Sequence, residues 1–193
     1  MYRLLREVLE ALVLALLIFF LASITVQNFR VLGASMSETL QDGQFLVVNK
    51  VAYSSFDKAR LGQLVPFWNV DGSDRVFTFH PPQRGEVVVF HPPRRPDLEY
   101  VKRVVGLPGE QVEIRRGVVS VDGVPLDEPY VRRRASVENR APLRLAEDEY
   151  YVLGDNRLGS EDSRAWGPIT LDSIVGRVWF TYWPPSEAGL ISH

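Results

Sequence analysis

Hydrophobic and polar positions change character once along the chain, near residue 28. From Val8 to Val26 the sequence reads VLEALVLALLIFFLASITV, and only Glu10, Ser23 and Thr25 interrupt the apolar run. A membrane-spanning helix needs about 20 mostly apolar residues. A buried core helix shows a polar stripe at helical period, and none is present from Ala11 to Phe20. The pattern predicts a short cytoplasmic N-terminus over residues 1–7 and a transmembrane anchor over residues 8–27. Arg3 and Arg6 also give the segment the basic start of a cleavable leader. Its exit, SITVQNF, offers no small-x-small cleavage site, so the segment is expected to stay attached. Two arginines before the span and Arg30 alone soon after it favour a cytoplasmic N-terminus. The expected arrangement is a single pass through the plasma membrane, with the remainder on the outer face.

Beyond the apolar run, short β-rich segments alternate with Gly, Pro, Asp and Asn, the pattern of a mostly β domain. Strands are predicted at Gln44–Val51, Glu86–Phe90, Tyr100–Val105, Gln111–Arg115, Val118–Val121, Tyr150–Leu153 and Ile174–Tyr182. Arg116-Gly117 and Asp122-Gly123 are turn signals that would close two successive hairpins. Stretches of about 53–82 and 132–145 lack a clear period and are expected to be irregular insertions. The tetrapeptide FHPP at Phe79–Pro82 and Phe90–Pro93 is too short for a repeat; two strand ends closed by prolines explain it. Residues 28–193 are thus expected to form one exported domain.

Charge adds an exclusion. The formal net charge is −2, which gives nucleic acid no electrostatic footprint, and the run Arg132–Arg134 reads as a solvated loop. With no cysteine, disulfides, thiolate catalysis and a Cys-based zinc site are excluded. His80, His91 and His193 form no metal-ligand spacing, so no metal or other cofactor is expected. Lysine occurs only at 50, 58 and 102, all other basic residues being Arg. Arg keeps its proton in a protein, whereas a desolvated Lys loses it, so a lysine within an apolar strand is singled out.

Three islands could carry chemistry. In GASMSETL, Ser35 and Ser37 lie among small residues shortly after the span; either could simply cap a turn. In YVKRVVG, Lys102 shares a strand face with Tyr100 and Val104. It either loses solvent there or snorkels to water from an edge strand. A serine hydroxyl becomes a nucleophile only when a base takes its proton. An ordinary lysine is neutral at pH 7 only about 0.04% of the time, and making it neutral costs roughly 4.6 kcal/mol. A Ser-Lys pair therefore requires a dry site. The third island, GDNRLGSEDSRAWGP at Gly154–Pro168, combines turn chemistry with dense hydrogen-bonding groups at Ser160, Asp162, Ser163 and Arg164.

Taken in order, these islands resemble the type I signal peptidase family. The anchor is followed by the nucleophile box GASMSETL, then RGEVVVF at Arg84–Phe90, YVKRVVGLPGE at Tyr100–Glu110, and GDNRLGSEDSRAWGP. The resemblance implies a mainly β fold, a coiled antiparallel sheet body of the signal peptidase and LexA-like type behind one N-terminal transmembrane helix. It implies Ser35 as nucleophile, Lys102 as general base, Ser160 orienting that lysine, and Asp162 with Arg164 bracing the site. Met36, next to the nucleophile, is assigned to substrate binding. The implied substrates are exported preproteins with small residues at −1 and −3, cut near the membrane lipid. Two positions depart from the pattern. Gly33 stands where some members place a serine that completes the oxyanion hole, and Glu38 replaces the usual proline.

Rival readings are weaker. LexA-type self-cleaving repressors resemble the fold and chemistry but carry a helix-turn-helix where this chain has an apolar span. Ser55-Phe-Asp-Lys58 fits the S-x-x-K of β-lactamases, without the motifs that should follow it. An inactive or retuned membrane-tethered relative that only binds peptides is the alternative that Gly33 and Glu38 allow. Phe67, Trp68, Trp179, Phe180, Tyr182 and Trp183 could rest the domain on lipid, although core packing would also explain them.

Overall fold

The computed structural model describes residues 2–57, 75–77, 79–132 and 137–191. Helix α1, Tyr2–Thr25, is exposed along its described length, has a mean hydropathy of 2.6 in its most apolar window, and is long and apolar enough to cross a membrane. It passes directly into strand β1, Val26–Arg30. The apolar run therefore hides a boundary: Val26 and Gln27, expected in the anchor, pair with Asn49 and Val48 in a sheet. Their β-branched and polar side chains suit a half-buried strand.

The remaining strands are β2 Phe45–Asn49, β3 Ser55–Asp57, β4 Arg75–Phe77, β5 Val87–Phe90, β6 Tyr100–Gly106, β7 Gln111–Arg115 and β8 Val118–Val121. They continue with β9 Val124–Pro125, β10 Arg140–Arg144, β11 Glu149–Leu153, β12 Ile169–Thr170, β13 Ile174–Trp183 and β14 Gly189–Leu190, with a short helix α2 at Ser163–Trp166. The main sheet runs β1-β2-β13-β5-β6-β11-β12, with β14 alongside β13, and every pairing is antiparallel. A second sheet, β10-β7-β8-β9, is an excursion between β6 and β11. Positive φ at Arg116, Gly117, Asp122 and Gly123 closes its two hairpins, the conformation that two-residue turns between twisted strands demand.

Strand β5 explains the core. Its VVVF is buried at every position. Val87 and Val89 join Val31, Met36, Leu40, Leu46, Val48 and Val178 on one face, while Val88 and Phe90 join Val104, Tyr150, Val152 and Ile169 on the other. A strand covered on both faces reads as a continuous apolar run rather than an alternation. A third cluster lies under the second sheet, between Val112, Ile114, Val119 and Val121 and the Val105, Tyr151 and Leu153 of the main sheet.

Two expectations of irregular chain are corrected. Arg140–Arg144, placed in the insertion at 132–145, forms β10 against β7, and β3 and β4 pair within the insertion at 53–82. Lys58, Phe67, Trp68, Arg133, Arg134 and His193 lie outside the described residues.

Candidate active site

The main sheet curls far enough that the turn after β1 meets β6, although four steps of strand order separate them. That turn is tied down locally. Gly33 has φ +94° and donates its N–H to Asp42 Oδ1 at 2.8 Å. The Met36 carbonyl accepts from the N–H of Thr39 at 2.8 Å and of Leu40 at 2.6 Å. Met36 and Leu40 are wholly buried among the valines beneath. This corrects one expectation: the Met36 side chain fills the core and is not offered to a substrate. Its burial fixes the turn and leaves Ser35 half-buried on the rim.

Lys102 reaches Ser35 from β6. Its Nζ donates to Ser35 Oγ at 2.8 Å and to the Val101 carbonyl at 2.9 Å. It also lies 5.2 Å from the Tyr100 ring centroid. Lys102 is 3% exposed, so it does not snorkel. Desolvation lowers its pKa from 10.5 to about 8, against the opposing pull of Asp162, Asp155 and Glu161. Burial disfavours the ammonium more than these carboxylates restore it. The pair thus meets the requirement of a dry site.

The loop after β11 braces this arrangement. The Asn156 amide donates to the Ala34 carbonyl at 2.9 Å, and its backbone N–H donates to the Ser35 carbonyl at 3.1 Å. Gly154 packs so close that a Cβ there would collide with Ser160 Oγ and with the Ser35 carbonyl. Asp162 is fully buried and caps α2. Its carboxylate accepts from Arg164 Nε and Nη2, both at 2.7 Å, and from the Gly154 N–H at 3.0 Å. Arg164 extends the bracing to Glu138 at 2.6 Å and to the Arg157 carbonyl at 2.8 Å. Asp162 and Arg164 are therefore brought together beside the Ser35 turn. Ser160 is brought near, but its buried hydroxyl has no hydrogen-bond partner among the described residues and does not hold Lys102. The Val101 carbonyl orients the ammonium instead.

Several supporting residues were not singled out from the sequence. Arg103, 1% exposed, forks onto Asp155 at 3.0 and 2.8 Å, and Thr39 donates to the same carboxylate at 2.6 Å. This joins β6, the Ser35 turn and the loop after β11 around one buried ion pair. Tyr130 lies 4.0 Å from the Arg103 guanidinium, and Arg157 forms a second buried pair with Glu128. A charge between valines in YVKRVVG was the available signal. Strand alternation places Arg103 opposite Lys102, and both faces of this sheet are covered.

A groove of about 440 Å³ opens beside Ser35, lined by Val31, Ala34, Leu46, Val89, Tyr100 and Lys102, among others. Its lining is mostly apolar, with Arg30, Glu99 and Glu161 as the charged members besides Lys102. Among the described residues no group of His, Asp and Glu could hold a metal ion.

Residues 5–183 match the family described as signal peptidase, peptidase S26. The chain is 33% identical over 201 residues to signal peptidase IB of Staphylococcus aureus, covering 95% of this chain and 92% of that one. It is 32% identical over 160 residues to the probable signal peptidase I-2 of Synechocystis sp., covering 83% of this chain and 64% of that relative's length. A crystal structure of a signal peptidase I from Enterococcus faecalis V583 aligns over 51% of this chain and 97% of that chain, with 32% identity and a TM-score of 0.45.

Proposed function

Because the chain belongs to the S26 family of signal peptidases, and is thereby a serine endopeptidase, we propose that it removes signal peptides from exported preproteins by a Ser35–Lys102 dyad. The 2.8 Å contact between Lys102 Nζ and Ser35 Oγ at a buried lysine carries the reading. With a pKa of about 8, roughly a tenth of Lys102 is neutral at pH 7, against about 0.04% for an ordinary lysine.

Ser35 Oγ attacks the scissile carbonyl carbon as neutral Lys102 takes its proton. The developing oxyanion needs preorganised donors. The Ser35 N–H has no acceptor among the described residues, whereas the Gly33 N–H is already engaged by Asp42. The Lys102 ammonium then protonates the departing amine. Water, deprotonated by the same lysine, hydrolyses the acyl-enzyme.

The mostly apolar groove beside Ser35 suits substrates with small residues at −1 and −3. Helix α1 serves as a single-pass anchor with Arg3 and Arg6 on the cytoplasmic side. Only about ten residues separate its end from Ser35, which keeps the dyad near the outer membrane surface. Exposed Trp179, Tyr182 and Trp183 on β13 are suited to rest on lipid.

The test is cleavage of a preprotein with an Ala-x-Ala site in detergent, the cut located by mass. Wild type is expected to cut after the −1 alanine, and folded Ser35→Ala and Lys102→Ala are expected to be inactive. A folded wild type that binds the preprotein and leaves it intact would support the alternative of an inactive relative.

A further inference from the structure

A second cavity of about 550 Å³ lies on the other side of the nucleophile turn, lined by Ser37, Glu38, Arg132, Asn156, Leu158 and Gly159. Gly159 also lines the groove beside Ser35. The two spaces therefore share one wall residue, and Ser35 lines the first while Ser37, two residues on, lines the second. A peptide whose acyl side lies in the first groove would carry its leaving side into the second. Within this second space the accessible charge is positive. Glu38 has a side chain 14% exposed and faces Arg132 Nε at 3.3 Å, while the Arg132 side chain is 80% exposed. The terminal nitrogens of Arg132 meet no acceptor among the described residues. The Asn156 side chain is already committed to the Ala34 carbonyl and the Gly159 N–H.

We infer that this cavity is the subsite for the first residues after the scissile bond and that it selects an acidic side chain there. Glu38 is the positioning residue. Its carboxylate pairs with the guanidinium at Nε, which leaves the two terminal nitrogens for the peptide, the fork that matches a carboxylate. Proline at position 38 would remove that hold, so the departure at Glu38 becomes a specificity device. The inference rests on the signal peptidase reading and deepens it.

The test uses the full chain in detergent and Ala-x-Ala peptides bearing Glu, Gln or Lys at +1, +2 or +3. At one of these positions the Glu peptide is expected to show kcat/KM about three- to tenfold above the Lys peptide at low salt, as for a partly exposed charge pair. The ratio should shrink in high salt. Within Arg132→Ala the Glu-to-Lys ratio should fall to about one. Arg132→Lys, which keeps the charge and loses the fork, should retain part of it, and Glu38→Gln should reduce it. Equal rates for all peptides in wild type, or a preference that survives Arg132→Ala, would overturn the subsite alone. A folded wild type that cuts none of the peptides would sink the peptidase reading and this one with it.

Discussion

Burial of Lys102 carries an electrostatic cost, and that cost has a sign. Its pKa falls from 10.5 to about 8 through burial. Below pH 8 both folded and unfolded states hold the proton, and the folded state bears the full penalty of a buried ammonium, about 3 kcal/mol at 1.36 kcal/mol per unit. Between about pH 8 and 10.5 the unfolded state binds more protons, so stability rises with pH. Lys102→Met is accordingly expected to be inactive and to melt higher than wild type at pH 7, the gap closing toward pH 10; thermal melts across that range check it. Glu161 raises the same pKa from the groove side. Glu161→Gln should therefore shift the rising limb of the pH–rate profile to lower pH, and an unmoved or alkaline limb would contradict this. Gly33 stands at φ +94°, a conformation that disfavours any L side chain. Gly33→Ser should thus lose about 1–2 kcal/mol of stability rather than gain an oxyanion donor, as melts and kcat/KM together would show.

Among the elements, the loop after β11 matters most to the site, because it converts buried charge into position. Asp162 accepts from both Arg164 and the Gly154 N–H, and Gly154 abuts the Ser35 carbonyl. Removing one partner of a buried pair typically costs about 3–5 kcal/mol, so Asp162→Ala should lose stability of that order in urea unfolding. Elements with strong local signals were legible: β7 and β8 alternate, and each is followed by a turn that carries Gly, Arg116-Gly117 and Asp122-Gly123. Others had none. Strand β10 is exposed at every position and is defined by hydrogen bonds to β7 rather than by burial, so its Arg-Ala-Pro-Leu-Arg looks like loop. Strand β1 was masked because the apolar run of α1 continues into it. Met36 was misplaced because its neighbour Ser35 faces the groove, while the turn rotates Met36 into the core.

Across the whole molecule, the apolar helix α1 and the main sheet share a boundary at Thr25 and Val26. Sequence order of the islands was enough to suggest that distant segments meet. That Ser35 and Lys102 lie within hydrogen-bonding distance followed only from the curl of the sheet, a property of strand order that no local period encodes. A fragment starting at Val26 keeps β1 and is expected to fold and cut a soluble peptide. One starting at Val31 loses the strand that leads into the Ser35 turn and should do neither; circular dichroism and peptide cleavage distinguish them. The most direct test of the dyad is the pH dependence of kcat/KM for one Ala-x-Ala preprotein between pH 6 and 10, on the full chain in detergent. A single rising ionisation near pH 8, absent from an inactive Lys102→Ala, is the expected result. A profile that rises only near the ordinary lysine value, or activity that persists in folded Lys102→Ala, would contradict Lys102 as the base.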